Sequence, residues 1–295
     1  MNISEGRDQQ VLAKVSMAAG EQLLDLHRDP YHHRSVLTLA GGAAAVESAA
    51  QAVARCAVAA IDLRAHHGAH PRFGVVDVVP FVADPIHDAP TGGLALEARR
   101  RFAAWAASEL ELPVFLYGPP EPGPPEPEAP EPEAPDAGAP PPGRSLPEVR
   151  RRAFVDLSPE LGPPDPRPRT GSVAVGARPP LVAYNVWVAR GDIEMARAVA
   201  AWVRGPAIRA LGLVVGDRLQ VSCNLTDPFH TGPADAYDRI AGALADAGGT
   251  AGPGELVGLL PVAVLAAVPA HRRRVLGIST DATLERRLER RLRRR

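Results

Sequence analysis

The chain has 295 residues, of which 45% are hydrophobic, and a formal net charge of −1. That length serves one large domain or two of ordinary size, and the balanced charge excludes bulk electrostatic attraction to nucleic acid or an anionic membrane. No apolar run reaches the roughly 18 residues of a membrane span, and no basic, apolar leader opens the chain. Cys56 and Cys223 are too few and too far apart for a disulfide scaffold or a cysteine zinc site. A soluble, cytoplasmic protein is expected.

In chain order, Gln9 to Ala19 predicts a helix, Gln22 to Leu26 a strand and Ser35 to Ala40 another strand. Ala44 to Leu63 is Ala-rich with few breakers and predicts a long helix holding Cys56 as a small core residue. Phe73 to Val82 is a strand apolar on both faces, Leu94 to Leu112 a helix stopped by Pro113, and Pro113 to Tyr117 a short strand. The tract Pro119 to Gly143 is almost entirely Pro, Glu, Gly and Ala. Proline fixes φ and donates no hydrogen bond, so an extended, solvated insertion in a surface loop is expected.

Beyond it, Ser145 to Arg152 opens a helix, and Val173 to Val188 holds two strands broken by Pro179 and Pro180. Asp192 caps a helix running to Val203. Leu211 to Leu225 is a hairpin turning at Gly216-Asp217, and Pro233 to Ala247 and Glu255 to Ala267 are helices. Leu284, Leu288 and Leu292 form one stripe of a terminal helix otherwise covered by arginine, expected to lie on the body. Strands alternate with helices, but hairpins also occur. The expected class is therefore α+β, with mixed sheets covered by helices on one face and a break near Arg178 dividing two halves.

Six of the nine histidines fall between His27 and His70, in the segments DLHRDPYHHRS and RAHHGAHPRFG. Both segments join predicted strands or helices, where catalytic groups are commonly placed. His66 and His70 have the spacing of a helical metal pair, yet Gly68 and Pro71 argue against a helix, and no metal is expected. Histidine, with an ordinary pKa of about 6.5, suits proton transfer near neutrality. Arg34 and Arg72 beside these histidines can grip carboxylates through paired hydrogen bonds. The residues themselves point to acid–base chemistry on a small anionic molecule.

Eight runs carry a resemblance: NISEGRD, DPYHHRSVLTLAG, IDLRAHHGAHPRFGVVDVVPFV, PVFLYG, RSLPEVRR, GSVAVGARPPLVAYNV, QVSCNLTD and GELVGLLP, in that order. Together they resemble the formiminotransferase domain of glutamate formimidoyltransferase and formiminotransferase-cyclodeaminase, over residues 2 to 265 and without the cyclodeaminase part. The HxGxHPRxG and VGARPxLVAYNV elements are the specific ones. The resemblance implies two ferredoxin-like αβ subdomains with the site in the groove between them. It divides the chain into residues 1–178 (with the insertion 119–143), 179–275 and an Arg-rich tail 276–295. It further implies transfer of a formimino group from N-formimino-L-glutamate to tetrahydrofolate as co-substrate, with no nucleic-acid or membrane partner and room for a homodimer.

By the same resemblance His70 is the catalytic acid–base group. His27 stands where well-studied members carry an acidic partner, and Asp29 is the nearest residue to restore that charge. His32, His33, Arg34 and Arg72 are the expected substrate contacts. The folate loop corresponds to Pro164, Asp165, Arg167, Arg169, Thr170 and Gly171, several residues shorter than usual. These departures leave a second reading, a catalytically degraded folate- or amino-acid-binding homologue. A third, a metal-dependent hydrolase, would use the histidine clusters. Family members also carry an apolar strand ahead of the NxSEGR motif, so residues upstream of Met1 are expected to complete a sheet.

Overall fold

A computed structural model of the chain describes residues 1–68, 72–82, 93–120 and 143–293. Its first half is β1 (Asn2–Ile3), α1 (Gln9–Ala19), β2 (Leu23–Asp29), β3 (Arg34–Leu39), α2 (Ala43–Ala60) and β4 (Val76–Val82). These form a βαββαβ unit with strand order β2-β3-β1-β4, all neighbours antiparallel. The helix α3 (Gly93–Glu109), β5 (Val114–Tyr117), α4 (Leu146–Arg152) and β6 (Val173–Arg178) extend it. Strand β6 pairs in parallel with β4 on one side and β5 on the other, so the six-stranded sheet is mixed.

The second half repeats the unit: β7 (Val182–Arg190), α5 (Ile193–Val203), β8 (Ile208–Val215), β9 (Arg218–Leu225), α6 (Pro233–Asp246) and β10 (Thr250–Val257). Its order is β10-β7-β9-β8 and every pairing is antiparallel. Both halves are thus ferredoxin-like αβ subdomains, the second with a wholly antiparallel rather than mixed sheet. Strand β6 ends at Arg178 and β7 begins at Val182, so the two sheets part at Pro179-Pro180.

Local chemistry accounts for the helices. The Asp8 carboxylate caps α1 by accepting from Gln10 and Val11, and Asp192 caps α5 by accepting from Met195 at 2.8 Å. Helix α2 buries Ala49, Ala50, Val53, Ala54 and Ala57, a 3–4 residue rhythm that lays one small-residue face on the sheet. Helices α1, α2 and α3 share a core with Ile3, Leu37, Val79 and Val175 on one face of the first sheet. On the other face Val149 of α4 packs with Val78, Phe115, Tyr117 and Ala174. Cys56 is half-buried on α2, and Cys223 sits in the second core, where burial pushes its thiol up to about 12. No helix among the described residues is long and apolar enough to cross a membrane.

Two expectations are corrected. The helix expected over Glu255–Ala267 is instead the end of β10 followed by a five-residue helix, α7 (Val262–Ala266). Leu256, Leu259 and Leu260 have helical spacing, but β7 offers an open edge that residues 250–257 pair with. Gly258 then turns with φ +80, a left-handed conformation that ends the strand and that a helix cannot contain. The terminal helix α8 (Leu284–Leu292) does lie on the body, but through its arginines rather than a leucine stripe: none of its residues is buried, and Leu292 is exposed. Arg291 donates to the carbonyls of Glu21 (2.8 Å) and Ala40 (2.6 Å), and Arg287 faces Asp25 at 3.6 Å. Helix α8 therefore runs from the second half back onto β2 of the first.

Most of the Pro119–Gly143 tract lies outside the described residues. Its two ends meet: Gly118 N–H donates to Arg144 C=O at 2.8 Å. The buried Arg99 guanidinium holds the exit by donating to the carbonyls of Tyr117 (3.1 Å) and Pro119 (2.7 Å).

Candidate functional site

The charged residues of the first half converge where β2 turns into β3 and where the chain approaches β4. Glu5, in the SEGR turn after β1, is the anchor. One of its oxygens accepts from the backbone N–H groups of Gly6 (2.8 Å), Arg7 (2.7 Å) and Asp8 (2.9 Å). The same oxygen lies 3.1 Å from His33 Nε2. Burial pushes this carboxyl up, but the three N–H groups and His33 outweigh it, leaving Glu5 below its ordinary value. His33 also faces the His67 carbonyl through Nδ1 at 3.1 Å, so both ring nitrogens look at oxygen acceptors. Its backbone is left-handed, with φ 52, a conformation that few non-glycine residues adopt.

The His33 ring stacks on His66, centroids 3.8 Å apart. His66 Nε2 lies 3.0 Å from the His33 carbonyl, and its Nδ1 faces the Arg72 guanidinium. An imidazole between a carbonyl and a guanidinium must donate from one nitrogen and accept at the other, which is the neutral ring. Burial first, then the neighbouring His33 and Arg72, push His66 down to about 4. Arg72 further donates to the carbonyls of His66 (2.7 Å) and Gly68 (3.0 Å). The two histidine loops interlock at Gly68, where a Cβ would fall 2.4 Å from the His32 carbonyl oxygen.

A second acid–histidine pair adjoins the first. Asp29 closes β2 and accepts from Tyr31 N–H and His32 N–H, both at 2.8 Å, and its other oxygen is 2.8 Å from His32 Nδ1. Burial raises this carboxyl, while His32 pulls it below its ordinary value. Ser4, His32, His33, Arg34, His66 and Arg72 line one small cavity. Behind it the wholly buried Asp77 takes Arg34, Arg150 at 2.7 Å and the Phe73 N–H at 2.6 Å. Arg178 lies beside the Tyr117 hydroxyl.

Of the expected site residues, His32, His33, Arg34 and Arg72 are brought together, and Asp29 reaches His32. His27 lies mid-strand on β2 opposite Val36, beside Asp25 rather than Asp29. His70 lies outside the described residues. The segment Pro164–Gly171 is stitched to the histidine loop by backbone bonds, Leu63 N–H to Arg169 C=O (2.9 Å) and Val75 N–H to Thr170 C=O (2.8 Å). Pro164 and Asp165 are exposed. Arg167 pairs with Glu111 at 2.8 Å and Arg169 donates to Ala59 C=O at 2.9 Å. Sequence reasoning missed Glu5, Asp77 and Arg150 as members of the cluster. Asp77 had a visible signal, a lone charge in the apolar run Val75–Val79.

The formiminotransferase domain, N-terminal subdomain, matches residues 1–129. A glutamate formimidoyltransferase of Streptococcus pyogenes serotype M1 is 34% identical over 247 residues, covering 77% of this chain and 76% of that protein. The chain belongs to the glutamate formimidoyltransferase family. A Thermoplasma acidophilum glutamate formimidoyltransferase is 30% identical over 310 residues, 98% of this chain and 95% of its own length. A Sus scrofa formimidoyltransferase-cyclodeaminase is 29% identical over 285 residues, 90% of this chain but 50% of its own length. The Glu5–His33 and Asp29–His32 pairs sit on the segments NISEGRD and DPYHHRS. Among the described residues no group of three or more His, Cys, Asp or Glu side chains is placed to hold a metal ion.

Proposed function

We propose that this chain is a transferase moving the formimino group of N-formimino-L-glutamate to tetrahydrofolate, giving 5-formiminotetrahydrofolate and glutamate in histidine degradation and one-carbon metabolism. The supporting observation is family membership across nearly the whole chain, joined to a charged cluster of three histidines and two arginines.

The chemistry is addition followed by elimination. The N5 lone pair of tetrahydrofolate forms a bond to the formimino carbon, and the N5 proton passes to His70. The tetrahedral carbon then expels the glutamate nitrogen, which takes the proton back from His70, and the formimino group remains on N5. Asp29 and Glu5 supply fixed negative charge beside a formamidinium that is cationic when protonated. His66, held neutral, adds no opposing charge near pH 7. Arg34 and Arg72 face the substrate carboxylates, and Pro164–Gly171 border the folate. Tetrahydrofolate acts as co-substrate, and the chain works in the cytoplasm.

The test is turnover. Purified protein with tetrahydrofolate and formimino-glutamate is expected to yield formimino-folate, while binding of both without product would assign it as a degraded binding homologue. Asp29→Asn should lower turnover by about tenfold, the worth of one charge-assisted hydrogen bond, and by more than His27→Ala does. If Asp29→Asn is silent and His27→Ala abolishes turnover, His27 itself is the acid–base partner.

A further inference from the structure

Two joints connect the halves of the molecule. One is the chain itself at Pro179-Pro180, between β6 and β7. The other is α8 against β2, the most extensive contact that an element of one half makes with an element of the other among the described residues. The joints lie toward opposite edges of the first sheet. Strand β2 is one outer strand, and β6 is four strands away, next to the other. At about 4.8 Å per strand the separation is roughly 19 Å.

The two ends of α8 are held differently. Its start is rooted in the second half. Thr283, 0% exposed, caps the helix by accepting from Arg286 N–H at 3.3 Å, and Leu284 N–H donates to Leu260 C=O at 3.0 Å. The Glu285 carboxylate accepts from Val262 N–H at 2.8 Å and ties the first turn to α7. The far end meets the first half through guanidinium groups. Arg291 Nη1 donates to the Glu21 (2.8 Å) and Ala40 (2.6 Å) carbonyls, and Arg287 Nη2 stands 3.6 Å from Asp25 Oδ1. None of the three cores draws a residue from α8. Arg291 Nε is enclosed without an acceptor among the described residues, so docking leaves one donor unmet. Solvent-facing guanidinium contacts are individually weak and are screened by salt. A helix rooted at one end and lightly held at the other can let go without unfolding a core. The histidine turn faces the same divide, since the Tyr31 ring lies against Gly216 at the tip of the β8–β9 hairpin.

We infer that α8 is a latch. Docked on β2 it holds the two halves together beside the histidine cluster, and released it lets them part, so that ligand enters or leaves. The inference rests on the folate-dependent reading above only for the ligand used to test it. A ligand that binds the latched arrangement is bound more weakly when that arrangement is less populated. Arg287 and Arg291 are therefore positioning residues, acting through the approach of the halves.

Small-angle scattering and folic acid calorimetry on the whole chain test this, with turnover recorded separately. The Arg287→Gln, Arg291→Gln double variant removes both grips. Arg286→Gln is the control, because its carboxylate partner Asp281, at 3.2 Å, precedes α8 itself. In about 0.1 M NaCl the double variant is expected to have a larger radius of gyration than wild type and the control. The gap should close in about 1 M NaCl, where the screening length falls from ~10 to ~3 Å and wild type opens too. At the lower salt the double variant should bind folic acid about 3- to 10-fold more weakly, the worth of two exposed contacts taken from the latched population. KM for tetrahydrofolate should rise by the same factor while kcat does not fall, a split that damaged packing does not give. An unchanged radius in the folded double variant overturns the latch. So does a larger radius with unaltered folic acid affinity, which would make α8 a brace without influence on the site. Should the double variant misfold, Arg291→Gln alone decides in the same way. A wild type that opens in salt but binds no folic acid keeps the joint and removes the folate reading. Turnover with a radius indifferent to Arg287 and Arg291 does the reverse.

Discussion

The two halves repeat one βαββαβ unit but place their polar groups differently. The first sheet gathers charge where its strands end: Glu5, Asp29, His32, His33 and the buried Asp77 lie in turns or at strand termini, tied by ion pairs. The second keeps its polar row mid-strand, where Asn185, Gln220 and Glu255 interrupt nothing in the backbone ladder. Strand ends let a side chain be aimed by loop geometry, and they tolerate backbone such as His33 with φ 52. Mid-strand positions offer no such adjustment, but their spacing is fixed by the sheet. Two copies of one fold thus hold their polar groups in two ways, one adjustable at the strand ends and one rigid along the strands.

The contrast breaks most sharply at Asp77. Removing a wholly buried carboxylate shared by two guanidiniums should cost about 3–5 kcal/mol of stability. Asp77→Ala is therefore expected to lower the urea midpoint far more than Glu255→Gln. Equal losses would mean that the two halves lean alike on buried charge. Next in size is His70→Ala, expected to cut turnover by about 100-fold or more, with a normal melting curve. An unaltered rate would remove His70 from the acid–base chemistry.

The third effect depends on pH. His66 is pushed from 6.5 down to about 4 when folded, so on acidification the unfolded chain takes up its proton first. Stability should be full above about pH 6.5 and fall as pH drops toward 4, by up to roughly 3 kcal/mol. Below about 4.5 the loss deepens, because Glu5 is held below that ordinary value in the fold. Denaturant titrations at stepped pH check this, and His66→Gln should flatten the part above pH 4.5. The smallest effect sharpens the contrast by showing what does not matter. Replacing the tract between Pro119 and Gly143 by a short Gly-Ser link should change stability by about 1 kcal/mol or less, since loop closure depends weakly on length. Gly118 and Arg144 already meet, so the replacement bridges no gap. A large loss would show the tract packing on the body.

Much of this architecture was legible. Helices with clear caps or one small-residue face, such as those begun by Asp8 and Asp192, stand within a residue or two of where their patterns put them. The Gly216-Asp217 hairpin was readable because turn chemistry and alternation agree. The helix expected over Glu255–Ala267 failed because three leucines at helical spacing can equally serve a strand end and a turn. Only the open edge of β7 decides between them. The histidine loops announced themselves by composition. Their partners did not: Glu5 is a single acid in a turn far upstream, linked to His33 by 28 positions of intervening chain. Asn185, Gln220 and Glu255 were quieter still, since a polar residue every second position looks like an ordinary solvent-facing strand.

Helix α8 has one more consequence. Strand β2 is the outer member of the six-stranded sheet, and an outer strand displays a row of backbone groups to which another polypeptide can pair. The helix lies against it, with Arg291 reaching the Glu21 and Ala40 carbonyls and Arg287 facing Asp25. An arginine-covered rod along that border is a poor template for strand addition.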